Sequence, residues 1–409
     1  MTYCSPMWGL ALLLMVAVPC YTHRTPASII QYNGYPAEVH NVTTKDGYIL
    51  QLDRIPRPGA RVVFLANQMA GSAASYLVLG KGKALAFLLY DAGFDVWLGN
   101  FRGTPFSLNH VHLKSSDDAF WKFGWHENGA LDNPAMLEYV LARSGQRDLV
   151  FGAHSMGGTS FFVMASERPD LAARVRAAFL FAPAVFMTRT KDEHLLAVEP
   201  IVNITQAASE RLHEHRRPTQ LLEKVADELC TGATSAATAT SRRQFCDIAG
   251  RAAGPHRFGY TSPLYFADGA TVRQVLHTAQ LAGSQRPAFR QYDYGSEAAN
   301  VAQYGSPVPP DYRLDTITTP VYLYNGKGDL TCTPADQVLL KSRLRNVRRF
   351  FLSPNDAFGH YNFVRDRDIV KDMWQFVLAD MKPFAKQSLL KKSISILRNF
   401  MKQFTKTFW

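Results

Sequence analysis

Cysteine is scarce in this chain, with five among 409 residues, and no CxxC or HExxH spacing is present. That argues against a structural or catalytic zinc site, and no cofactor is expected. Long apolar runs are also missing. Met7 to Cys20 is the main candidate, too short to span a bilayer, and polar residues follow from Tyr21. It reads as a signal peptide over residues 1–22, although no Lys or Arg precedes it; a retained anchor is the lesser alternative. Acidic residues are absent from Lys382 to Trp409, a stretch with seven Lys and Arg. Seven of the eleven net positive charges therefore sit in the tail, and no nucleic-acid motif accompanies them, so no nucleic-acid partner is expected.

What is present describes a secretory globular protein. Hydrophobic residues make up 47% and charged residues 19%, the composition of a chain that buries a large core. Two glycosylation sequons, Asn41-Val-Thr and Asn203-Ile-Thr, agree with entry into the secretory route. The expected destination is outside the cell, with the lysosome as the alternative. Once the signal is removed, Cys230, Cys246 and Cys332 remain. Cys230 and Cys246 bracket a Ser/Thr/Ala-rich segment and could close it as a disulfide, leaving Cys332 as a buried small hydrophobe.

Periodicity predicts alternating strands and helices. Residues 37–43 and 48–55 form a hairpin around Lys45-Asp46-Gly47. Arg61 to Leu65 is a buried strand, Ala84 to Ala92 a helix ended by Gly93, and Phe94 to Leu98 the next strand. Asn133-Pro134 opens a helix that stops at Gly145. Further strands are expected at Leu149–Gly152, Ala177–Ala182, Pro320–Tyr324 and Arg348–Leu352. The fold class is α/β, with a mostly parallel sheet covered on both faces. From 187 to 315 this rhythm lapses, which reads as a cap inserted above the sheet. The main domain then covers 23–381, with its core at 30–186 and 316–380, and the basic tail covers 382–409.

The chemistry centres on Asp148-Leu-Val-Phe-Gly-Ala-His-Ser-Met-Gly-Gly-Thr159. A strand, then small-x-Ser-x-Gly, then a helix is the layout of a nucleophile elbow, which lifts the hydroxyl of Ser155 above the sheet. A serine needs a base and an orienting group behind that base. In this layout they arrive as Ser, acid, His, each after a strand. Asp329 follows the strand at 320–324 in a Gly-rich turn, and His360 follows the last strand. Asp336 and Asp356 are weaker candidates for the acid, since Asp336 suits a role capping the next helix. His154 is expected to pack against the sheet, out of reach of service as the base.

These residues bring the chain to a resemblance. Gly34-Tyr-Pro, residues 42–50, residues 85–100, Gln291-Tyr-Asp-Tyr-Gly295, Tyr324-Asn-Gly-Lys-Gly-Asp329 and Gly359-His-Tyr-Asn-Phe363 resemble the acid lipases, the gastric and lysosomal lipases with their insect relatives. The similarity runs from about Ile30 to Leu378. It implies an α/β-hydrolase core with a cap and mobile lid, and hydrolysis of carboxylic esters of neutral lipids. It also implies Ser155 as nucleophile, His360 as base, Asp329 as orienter and a cap disulfide like Cys230–Cys246. By position, the backbone N–H groups of Met69 and Met156 form the oxyanion hole. This chain has Asn67-Gln68-Met69 where most members have His-Gly-Leu, and Met156 where Gln is usual. If position 68 needs a positive φ, Gln68 strains the loop and tilts the Met69 N–H, or else the Gln68 amide donates to the oxyanion itself. The alternative function is therefore a lipid-binding protein on a lipase fold with impaired catalysis. In the tail, Leu390, Ile394, Leu397, Met401, Phe404 and Phe408 trace one helical face. That face is expected either to pack on the core or to lie on an anionic lipid surface.

Overall fold

The computed structural model describes residues 25–230, 246, 270–284 and 286–385. The expected signal segment and the tail from residue 386 lie outside them, as does the whole stretch between Cys230 and Cys246.

Nine strands form one sheet: β1 (Glu38–Thr43), β2 (Tyr48–Ile55), β3 (Val62–Ala66), β4 (Asp95–Gly99), β5 (Asn109–His110), β6 (Leu149–His154), β7 (Val175–Phe181), β8 (Val321–Asn325) and β9 (Val347–Leu352). Their order is β1-β2-β4-β3-β6-β7-β8-β9, with β5 attached to β2. The hairpin and its neighbours pair antiparallel, while β4, β3, β6, β7, β8 and β9 run parallel. Every residue of β3, β4 and β6 is buried, as continuous apolar strands covered on both faces must be. The mostly parallel sheet agrees with the alternating pattern, and the arrangement with the α/β-hydrolase core that the resemblance implies.

The longer helices are α1 (Pro26–Tyr32), α2 (Leu85–Asp91), α3 (Asn133–Ser144), α4 (Met156–Glu167), α5 (Glu193–Val198), α6 (Val202–Leu212), α7 (Pro218–Cys230), α8 (Val272–Gly283), α9 (Glu297–Tyr304), α10 (Pro334–Arg343) and α11 (Gln375–Ala385). Helix α3 has its proline in the first turn and ends at Gly145, whose left-handed φ of 67° favours glycine. Helix α1 departs from the sequence pattern, in which the stretch from Ile29 leads only into strands. Thr25 caps it by accepting from the Ser28 N–H, Pro26 opens it, and Ile29 and Ile30 are buried. The Thr-Pro pair is its local signal, at the N-cap and first helical positions. At the other end, α11 includes Lys382 to Ala385, which the expected boundary at residue 381 assigns to the tail.

Helices α5 to α9 lie between β7 and β8. Ala197, Ile201, Leu221, Val225, Leu276 and Ala279 belong to a second, smaller apolar cluster there. Cys230 and Cys246 are disulfide-bonded in this region, and Cys332 is free and buried.

Behind the end of β4, Arg102 is fully buried. Its guanidinium bonds Asp132 at 2.7 Å and Asp46 at 2.5 and 3.0 Å, and lies 4.0 Å from the Tyr48 ring centroid. The main-chain N–H of Arg102 also donates to Asp132, at 3.1 Å. One cation thus ties the hairpin turn, the loop after β4 and the entry to α3. Arg102→Met is expected to lower stability by about 3–5 kcal/mol, because it strands the Asp132 carboxylate in the core. Urea unfolding measures this, and a loss below about 1 kcal/mol would show that Asp132 is relieved by other means.

Candidate active site

Strand β6 ends at His154 and α4 begins at Met156, so Ser155 occupies the turn between them. Its φ of 54° and ψ of −124° are strained for a residue with a side chain. The Ser155 N–H donates to the Phe181 carbonyl at 2.9 Å, which anchors the turn to β7. A Cβ at Gly157 would fall 2.7 Å from the Asn67 carbonyl oxygen and 2.8 Å from that of Ala66. Only glycine fits that crossing. The same Cβ would also fall 3.1 Å from the Ala153 Cβ, so the alanine at the first small position is accommodated because Gly157 stays bare.

His360 Nε2 lies 2.9 Å from Ser155 Oγ, and His360 Nδ1 lies 2.9 Å from Asp329 Oδ2. The other Asp329 oxygen accepts from the backbone N–H groups of Thr331 and Cys332, at 2.9 and 2.7 Å. Two bonds to main chain fix the carboxylate, and Asp329 is 2% exposed. The acid and histidine loops meet through glycine. A Cβ on Gly326 would sit 1.9 Å from the Phe358 carbonyl oxygen, and the Gly328 N–H donates to that same oxygen at 3.1 Å.

The two rival acids are elsewhere. Asp356 is exposed and pairs with Lys327. Asp336 does not cap α10: Thr333 is the cap, accepting from the Asp336 N–H, while the buried Asp336 carboxylate accepts from Thr188 Oγ1 and the Arg189 N–H. His154 is buried as expected, with its ring against His360 and Phe363. Its Nε2 donates to the His360 carbonyl at 3.1 Å. Burial, and then the neighbouring His360, hold its pKa well below the usual imidazole range, so it is neutral. Sequence reasoning misses that backbone bond, because a carbonyl partner leaves no mark on residue type.

The loop after β3 differs from the two expectations for Gln68. Gln68 has no positive φ; the left-handed residue is Ala70, at 53°. The Gln68 amide donates to Ser75 Oγ at 2.9 Å, beneath the loop. Asn67 braces the turn by donating to the Gln68 and Gly71 carbonyls, while its Oδ1 accepts from the Phe101 N–H. Asn100 Oδ1 accepts from the Ala73 N–H at the loop's far end. Tyr76 OH, which no sequence signal marks, donates to the Ala66 carbonyl and accepts from the His154 N–H.

Met69, Met156, Ser155 and His360 border one cavity of about 210 Å³. Its walls include Ala184, Met187, Leu195 and Val364, an apolar lining around a few polar groups. Among the described residues, no cluster of His, Cys, Asp and Glu could hold a metal, and no helix is long and apolar enough to cross a membrane.

The family described as "Partial alpha/beta-hydrolase lipase region" matches residues 26–79, and that described as "alpha/beta hydrolase fold" matches residues 62–363. Lipase 1 of Drosophila melanogaster is 35% identical over 354 residues, 86% of this chain and 78% of that one. Lipase member N of Homo sapiens is 30% identical over 379 residues, covering 88% and 91%. Gastric triacylglycerol lipase of Bos taurus is 30% identical over 374 residues, covering 87% and 90%. The chain therefore belongs to the acid lipase family of α/β hydrolases.

Proposed function

We propose that this protein is a secretory-pathway lipase or esterase that cleaves carboxylic esters of neutral lipids through an acyl-enzyme on Ser155. The observation that carries this reading is the continuous hydrogen-bonded line from Ser155 Oγ through His360 to Asp329. His360 Nε2 takes the serine proton as Oγ attacks the ester carbonyl carbon. Asp329 accepts from Nδ1–H, which holds the ring in the required tautomer and favours the imidazolium that forms. The carbonyl oxygen becomes an oxyanion, received by the N–H groups of Met69 and Met156; the latter is an unpaired donor at the start of α4. Collapse expels the alcohol with the proton from His360. Water then repeats the sequence on the acyl-enzyme and releases the fatty acid. The apolar wall of Met187, Leu195 and Val364 suits an acyl chain.

The Cys230–Cys246 disulfide and the exposed sequon residues Asn41 and Asn203 support the secretory route. Contact of the tail with a lipid surface remains a proposal of the sequence alone. The binding-protein alternative rests on the altered oxyanion loop, in which the left-handed residue is Ala70 and not Gln68.

A fluorophosphonate probe is expected to label Ser155 in the wild type and to leave Ser155→Ala unlabelled. Ser155→Ala and His360→Ala should each cut ester turnover by roughly 10³-fold or more with folding intact. Wild-type rates in either purified variant would sink the assignment.

Gln68→Gly is expected to lower kcat on a soluble short-chain ester by roughly three- to tenfold, with KM little changed. It removes a buried hydrogen bond to Ser75 and loosens the turn that presents Met69. A rise in kcat would show that the Gln68 side chain obstructs the site instead of bracing it.

A further inference from the structure

Asp53, on β2, is a buried carboxylate with no cation beside it among the described residues. Its relative exposure is 0%, and the proposed reaction does not use it. Its partners are neutral amides: Gln51 Nε2 donates to both oxygens at 3.1 Å, and Asn100 Nδ2 donates to Oδ2 at 3.0 Å. Its cross-strand neighbours are Val39 on β1 and Leu98 on β4. The ionic groups of this region, Arg54, Asp95, Glu38 and His40, alternate onto the opposite face of the sheet, where Arg54 binds Asp95 and Glu38. Helix α1, which packs against β2, has no charged residue, and the only ionisable group of β5, His110, turns to the Asp46 carbonyl.

The link to the reaction runs through Asn100. Its side chain donates to Asp53 Oδ2 and to the Gln51 carbonyl, which leaves Oδ1 facing the other way, onto the Ala73 N–H at 2.9 Å. The next residue, Phe101, donates its N–H to Asn67 Oδ1. Asn100 and Phe101 therefore hold both ends of the loop that presents Met69. A primary amide has one donor end and one acceptor end. Whatever keeps the Asn100 donor end on β2 also keeps its acceptor end on the loop.

We propose that Asp53 is a positioning residue for the oxyanion loop: its ionised carboxylate fixes the Asn100 amide and, through it, the Met69 N–H, and protonation of Asp53 slackens that loop. Protonation turns one acceptor oxygen into a donor, so the carboxyl competes for acceptors with the amides that now bond to it. Either Gln51 must turn its carbonyl inward or Asn100 must release Ala73. Desolvation pushes the Asp53 carboxyl from 3.8 up to about 6, partly countered by the amides of Gln51 and Asn100. The folded protein thus holds this proton more tightly than the unfolded chain. The stability that Asp53 contributes is complete below the unfolded value and is lost as pH rises through about 6. Stability and loop order are set against each other across that window.

The inference rests on the Ser155 hydrolase reading. Wild type, Asp53→Asn and Asn100→Ala are compared on a soluble p-nitrophenyl butyrate substrate from pH 4.5 to 8, with kcat, KM and Tm measured for each. In the wild type kcat should fall on acidification more steeply than the one-proton loss of the catalytic base, with an extra step of roughly tenfold near pH 6 as Asp53 takes its proton. Asp53→Asn should show a one-proton slope and a kcat roughly tenfold lower at pH 7, short of the ~100-fold cost of losing an oxyanion donor outright, with KM little changed. The Tm advantage of wild type over Asp53→Asn should be larger at pH 5 than at pH 7. A merely structural role would lower Tm and kcat at every pH and leave the slope alone, and equal slopes overturn the proposal. Should Asp53→Asn fail to fold, Asn100→Ala decides: it cuts the link while leaving Asp53 in place, so loss of the extra step near pH 6 supports the proposal and its persistence overturns it. A wild type that neither turns over the ester nor labels at Ser155 overturns the hydrolase reading as well, whereas an active wild type with equal slopes overturns the role of Asp53 alone.

Discussion

Close approach of main chain to main chain at the carboxyl end of the sheet is the constraint on which this site depends. Gly157 lies against the carbonyls of Ala66 and Asn67, Gly158 against Pro183, and Gly326 against the Phe358 carbonyl. At each crossing a methyl group would force the two segments apart. The crossings bring together the ends of β3, β6, β7 and β8 and the loop after β9. Side chains that are up to 205 residues apart in sequence then meet at hydrogen-bond distance. The strained φ of Ser155 persists only because the segments around it cannot relax without breaking these contacts.

A second layer of amides translates that crowding into orientation. Asn67, Gln68 and Asn100 each use both ends of a primary amide or one end plus a backbone carbonyl, and together they brace the loop from Asn67 to Ala73. These bonds show how Asn67-Gln68-Met69 is accommodated in this loop. The loop is shaped by what its side chains bond beneath it, and the N–H of residue 69 is a backbone group that survives the exchange.

Elements with strong local signals are legible in the sequence. The Lys45-Asp46-Gly47 turn, the Asn133-Pro134 helix start and the apolar runs of β3, β6 and β8 lie within a residue or two of expectation. Ser155, Asp329 and His360 are legible because each stands in a loop after a strand, in a set order. What escapes is everything written in long-range backbone bonds. Tyr76 holding the Ala66 carbonyl, His154 holding the His360 carbonyl and Thr331 donating to Asp329 depend on which loops face each other, and periodicity does not report that. The conformation of Gln68 escapes for a related reason. The resemblance, with its glycine at position 68, suggests a left-handed residue there, yet the Gln68-to-Gly71 turn puts it at Ala70, closed by a Gly71 N–H to Gln68 carbonyl bond.

The cap is joined to the triad by the same kind of bond. Thr331 gives its N–H to Asp329 and its hydroxyl to Asp192, the residue that caps α5. The Lys191 N–H and the Thr190 hydroxyl both donate to the Leu330 carbonyl, and Asp336 holds Thr188 and Arg189. The first six residues of the inserted segment are therefore part of the acid loop in mechanical terms. Helix α5 follows directly and places Leu195 in the cavity wall. A displacement of the inserted segment that began before Asp192 would pull Thr331, and with it one of the two N–H groups that hold the Asp329 carboxylate.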